Sequence, residues 1–113
     1  LFVAVSHDKA QRVMVYHLDA HRMPRAGRVW LDALPMLPAP GLPDGMKIAA
    51  DGTHFQSVPC GMGIFTPDAE PLGLIETGFP IPNCAFGEDG RSLFLTANDR
   101  VLMVRLKVSG WRA

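Results

Sequence analysis

The chain has 113 residues, is 48% hydrophobic and carries eleven basic and eleven acidic side chains, the composition of one folded, core-forming unit. Zero net charge and no run of Lys or Arg leave no electrostatic footprint for nucleic acid or an anionic membrane. The longest strictly apolar run, Leu1-Phe2-Val3-Ala4-Val5, is far short of the ~20 residues a membrane-spanning helix needs.

Eleven glycines and ten prolines leave little room for long helices. Alternation and turn chemistry instead predict strands over 1–5, 12–18, 28–32, 45–49, 53–58, 62–66, 72–76, 83–87, 92–97 and 101–106. The stretch from Asp8 to Met23 lacks Gly and Pro, and Ala10, Val13, Met14 and Leu18 fall at helical spacing. Val13, Val15 and Tyr16 favour a pleated surface, however, so this stretch reads as strand. From Ala33 to Pro43 four prolines mark a loop. Turns are expected at Asp51-Gly52, Pro59-Cys60-Gly61 and Pro67-Asp68. The Asp-Gly pairs suit a type I′ hairpin, in which both central residues take positive φ.

The chain repeats itself. Pro43-Asp44 and Pro82-Asn83 lie 39 residues apart, Asp51-Gly52 and Asp89-Gly90 lie 38 apart, and Phe55 and Phe94 return to 39. A weaker copy occupies the start, where Leu1–Val5 resembles Leu93–Ala97 and Arg12–Leu18 resembles Arg100–Leu106. Four short antiparallel strands in about 40–45 residues are the mark of a β-propeller blade. A β-sandwich with coincidental Asp-Gly turns is the rival fold. Ten strands make two and a half blades, and propellers usually close with four to eight. The expectation is an all-β, partial β-propeller, with blade segments at about 1–32, 43–77 and 82–108 forming the C-terminal part of a single domain in a longer protein.

Asp44 is the first candidate for chemistry. It opens the innermost strand of the complete unit, where an oxygen ligand facing a central channel suits a hard cation such as Ca²⁺. A carboxylate beside such an ion can also serve as base or nucleophile; the plainer role is a turn cap. Asn83 holds the equivalent place one unit later, as ligand, substrate contact or Asx-turn residue. His7 follows the first strand in a loop that could reach the channel mouth. His17 and His21 would converge only on a helix. Cys60 and Cys84 lack metal-site spacing, and Cys60 lacks a partner His; Cys84 reads as a core residue. No Gly-x-Ser-x-Gly elbow, phosphate loop or zinc pattern is present.

Leu42-Pro43-Asp44-Gly45-Met46-Lys47-Ile48, followed by Pro82-Asn83-Cys84-Ala85-Phe86-Gly87, Ser92–Ala97 and Val104-Arg105-Leu106-Lys107, resembles the C-terminal part of the gluconolactonase/regucalcin/luciferin-regenerating-enzyme family of six-bladed propellers. Glu88 departs from the second Gly that often follows Phe-Gly in that family. The resemblance implies one divalent cation in the central channel, with Ca²⁺ favoured and Zn²⁺, Mg²⁺ or Mn²⁺ as alternatives. Of the family's Glu, Asn and Asp ligands only the Asp maps here, onto Asp44; the other two are expected upstream of Leu1. The implied activity is hydrolysis of a sugar lactone or related cyclic ester, with a small-molecule lactone as partner and neither nucleic acid nor membrane. A non-catalytic propeller binding module, a propeller phosphotriesterase and a self-associating short chain are the alternatives.

Overall fold

Ten short antiparallel strands build the structure, a computed structural model that describes residues 1–111. They are β1 (Phe2–Val5), β2 (Arg12–Leu18), β3 (Pro24–Asp32), β4 (Met46–Ile48), β5 (His54–Val58), β6 (Gly61–Phe65), β7 (Pro71–Ile75), β8 (Asn83–Gly87), β9 (Ser92–Ala97) and β10 (Arg100–Arg105). Each pairs with its sequence neighbour, giving sheets ordered β1-β2-β3, β4-β5-β6-β7 and β10-β9-β8. The stretch 12–18 is a strand, as its β-branched residues require. All ten expected strands are present.

The two inner strands of the middle sheet, β5 and β6, are covered on both faces, and their period-2 alternation divides the core. Phe55 and Met62 pack with Ala49, Ile81, Cys84, Leu93, Leu95 and Ala97 toward the third sheet. Val58 and Phe65 pack with Val13 and Trp30 toward the first. Burial on both faces explains why β5, His-Phe-Gln-Ser-Val, is buried at all five positions. Trp30 is the hinge of the first interface. It stacks on His54 with centroids 4.3 Å apart, meets Phe65 edge-on at 5.8 Å, and donates its indole N–H to Pro67 O at 2.8 Å.

Two expectations are corrected. β3 begins at Pro24 instead of 28, because register shifts between Val13 and Met14 and between Val15 and His17 let its exposed first half follow β2. Pro24 is tolerated there as the first residue of an edge strand. The Asp-Gly turns are not type I′ either, since Gly52 and Gly90 have positive φ but Asp51 and Asp89 do not. Between β4 and β5 the Gly52 N–H donates to Ala49 O at 3.0 Å and the Ala49 N–H to Thr53 O at 2.8 Å. The loop has three residues, a turn followed by one left-handed residue. The same pattern recurs at Asp19–Met23 with Arg22 left-handed and at Thr66–Glu70 with Ala69 left-handed.

The expected loop from Ala33 to Pro43 contains one 3-10 turn, Leu34–Met36. Beyond β10 the chain doubles back. The Leu106 N–H donates to Arg91 O at 2.7 Å, the Gly110 N–H to Gly90 O at 2.7 Å, and the Ala50 N–H to Ser109 O at 2.9 Å. Residues 106–110 thereby strap the β8–β9 turn to the β4–β5 turn.

Candidate functional site

β4 and β8, the first strands of the second and third sheets, lie side by side. The Gly45 N–H donates to Pro82 O at 2.8 Å, which draws the segment preceding β4 against the start of β8. A side chain at residue 45 would collide with the Asn83 amide, so glycine permits this approach. Asp44 and Asn83, 39 positions apart in sequence, are thus brought to adjacent strand openings, and both are exposed.

The backbone around Asp44 is fixed from below by two successive residues of β5. Gln56 Nε2 donates to Asp44 O at 3.3 Å, Ser57 Oγ to Leu42 O at 3.1 Å, and the Ser57 N–H to Gly45 O at 2.9 Å. Pro43, fully buried, anchors the turn from the apolar side. The Asp44 carboxylate has no hydrogen bond or ion pair among the described residues. It borders a recess of about 270 Å³, whose wall includes Gly41, Leu42, Ser57, Pro80 and Pro82.

Asn83 Oδ1 accepts from the Cys84 N–H at 2.9 Å, and Asn83 O accepts from Thr96 Oγ1 at 3.3 Å. The first of these bonds orients the side-chain amide, and the second holds the backbone at the start of β8. Asn83 also borders a second recess of about 170 Å³, on the side of Thr96 and Val101. His7 lies in the exposed turn between β1 and β2, where its Nδ1 accepts from the Lys9 N–H at 3.2 Å and its carbonyl from the Ala10 N–H at 2.9 Å. No hydrogen bond joins His7 to Asp44 or Asn83 among the described residues. Its Nε2 makes no hydrogen bond among the described residues.

No three His, Cys, Asp or Glu side chains come together as a metal site among the described residues. Asp44 and the amide oxygen of Asn83 supply two hard oxygen donors, the donor type that Ca²⁺ requires, although six to eight complete its shell. The residues present fit part of such a site. His17 and His21 are exposed and do not join it. Cys84 is buried in the core, as expected, and burial pushes its thiol up to about 11. A cavity of about 380 Å³ lies elsewhere against Met36, Val58, Cys60, Phe65 and Leu74, and none of the three candidate residues lines it.

One part of the site escaped the sequence reading. His54 and Gln56 are fully buried and bonded to each other, Nε2 to Oε1, at 3.1 Å, and Gln56 continues the chain to Asp44. The signal was there: a strand reading His-Phe-Gln-Ser-Val has no clean apolar face yet sits in the middle of a sheet.

No protein-family profile matches the chain. A gluconolactonase of Zymomonas mobilis subsp. mobilis is 39% identical over 119 aligned residues, which cover 97% of this chain and 32% of that protein. The chain therefore spans about a third of the length of the curated relative it matches. A solved gluconolactonase from Xanthomonas campestris superposes with a TM-score of 0.78 at 24% identity, over 93% of this chain and 33% of that one. A luciferin-regenerating enzyme superposes with a TM-score of 0.79 at 20% identity, over 97% and 42%. At that identity the solved structures speak for the fold alone, which is a partial β-propeller with the three sheets as blades.

Proposed function

We propose that this chain, which is 39% identical to a gluconolactonase over 97% of its own length, takes part in the hydrolysis of a sugar lactone or related cyclic ester by the whole protein. The observation that carries the reading is the exposed Asp44 carboxylate, without a partner among the described residues and held beside Asn83 on a backbone that four hydrogen bonds fix in place.

Asp44 and the Asn83 amide oxygen would hold a divalent cation, with Ca²⁺ favoured by the all-oxygen donors. When bound, such an ion polarises the lactone carbonyl and stabilises the oxyanion that forms there. In the reaction, water adds to the carbonyl carbon, the ring C–O bond breaks and a hydroxy acid leaves. Asp44 orients the attacking water and takes its proton, which returns to the departing ring oxygen. The Asn83 side-chain NH₂ donates to a substrate hydroxyl, and His7 offers a further contact from the β1–β2 turn. The recess beside Asp44, with Pro80 and Pro82 in its wall, receives the ring.

The test is Asp44→Asn in the full-length protein. Lactone hydrolysis should fall by about 10²- to 10⁴-fold, the usual worth of a positioned acid or base, and Ca²⁺ affinity should fall with it. Unchanged hydrolysis together with unchanged Ca²⁺ affinity would overturn the reading.

A further inference from the structure

Gln56 has no exposed surface, and every polar atom of its side chain is bonded. Its two Nε2 hydrogens go to Asp44 O at 3.3 Å and Ser57 O at 3.1 Å. The amide therefore has one orientation only. Turned over, it would set Oε1 against two carbonyl oxygens, and a buried unpaired acceptor facing like charge is costly. With Nε2 committed to donating, Oε1 must accept, and its partner is His54 Nε2 at 3.1 Å. That fixes the His54 tautomer as the one with hydrogen on Nε2. The imidazole is in turn clamped by rings, stacked on Trp30 at 4.3 Å and met edge-on by Phe2 at 4.8 Å.

We propose that Gln56 is a positioning residue for Asp44, with His54 locking the Gln56 amide in the orientation that donates to the Asp44 carbonyl. This rests on the functional reading of Asp44 given above. The physical case is the placement of a polar pair where an apolar pair would serve the fold as well. An apolar pair of similar shape would lose the His54–Gln56 bond at little cost, and what it could not supply is the donor to the Asp44 and Ser57 carbonyls. The pair instead delivers one directed bond to the single carbonyl whose residue carries the exposed carboxylate. Ser57, next in the strand, holds the carbonyls of Leu42 and Gly45 on either side. Hydrogen bonds from Gln56 and Ser57 thus hold three successive parts of the turn's backbone, at Leu42, Asp44 and Gly45, and set the position from which the Asp44 carboxylate projects.

The experiment compares Gln56→Met, which keeps the volume and removes both donors, with Asp44→Asn and the unaltered full-length protein. Ca²⁺ binding is measured by titration calorimetry with the metal alone, and the unfolding temperature is measured beside it. Gln56→Met should weaken Ca²⁺ about tenfold, the lower end for loss of a group that orients a metal ligand, and should leave the unfolding temperature within a few degrees. Gln56→Glu keeps the acceptor toward His54 and sets a carboxylate oxygen against the Asp44 carbonyl, so it should weaken Ca²⁺ at least as much. If Gln56→Met does not fold, Gln56→Asn, one methylene short of that carbonyl, should show the same tenfold loss. Wild-type Ca²⁺ affinity in folded Gln56→Met or Gln56→Asn, with affinity lost in Asp44→Asn, overturns the positioning role and leaves the functional reading standing. Unchanged affinity in Asp44→Asn overturns both.

Discussion

The Asn83 side-chain amide occupies the place where a side chain on Gly45 would begin. This contact, with the Gly45 N–H on Pro82 O at 2.8 Å, joins the second sheet to the third at the point where Asp44 is presented. Gly45→Ala should therefore push Asn83 and the Pro82 carbonyl away. The expected cost is about 1–3 kcal/mol, as for overpacking elsewhere. Ca²⁺ affinity should drop as well, because Asp44 and Asn83 move apart. Chemical denaturation and calorimetry on the variant check both.

Stability should depend on pH through His54. Burial lowers its pKa, and the bond to Gln56 opposes that only in part. The unfolded chain takes up a proton at this residue below about 6.5, while the folded chain resists it. Unfolding therefore binds a proton on the acid side, so stability is full above that pH and falls as pH drops toward the lower folded value. Denaturation midpoints between pH 7.5 and 5 should fall for the native protein. In His54→Phe, which keeps a ring beside Trp30, the slope should be shallower.

Ala69 and Arg22 occupy left-handed positions, at φ 66° and 61°, that Gly52 fills in the equivalent loop. A side chain there costs about 1–2 kcal/mol, and glycine returns part of that gain through the entropy of the unfolded chain. Ala69→Gly and Arg22→Gly should each raise stability by about 0.5–1 kcal/mol. Thermal unfolding of the two single variants and the double variant reads this directly, and the distant sites should add.

The two cysteines should differ in reactivity. The Cys84 thiol lies in the core, and burial raises its pKa to about 11, with Lys47 opposing weakly. Almost none is thiolate at pH 8, and the thiolate is the nucleophile. Half-buried Cys60 should be alkylated by iodoacetamide in the folded protein, and Cys84 only after denaturation. Peptide mapping of the modified protein distinguishes them.

The strand positions, the Asp44–Asn83 equivalence and the blade-like repeat were legible in the order of residues, because they rest on local facts. Alternation has period 2, Gly and Pro mark turns, and a repeat of about 39 residues needs only to be counted. The shape of the turns was not, since Asp51-Gly52 satisfies two hairpin types and only the register of β4 on β5 selects the three-residue form. The same limit hid the start of β3, whose exposed residues have no apolar pattern and are held by the bulged pairing with β2.

The sequence by itself determined which segments become strands and which residues open them. Only the tertiary structure decided that Gln56 bonds the Asp44 carbonyl, that His54 is boxed by Phe2 and Trp30, and that Asn83 rests on Gly45. Those contacts join residues up to 52 positions apart on stacked sheets. Such partners are chosen by strand register and by which faces are buried together, and neither quantity is written in any local stretch of residues.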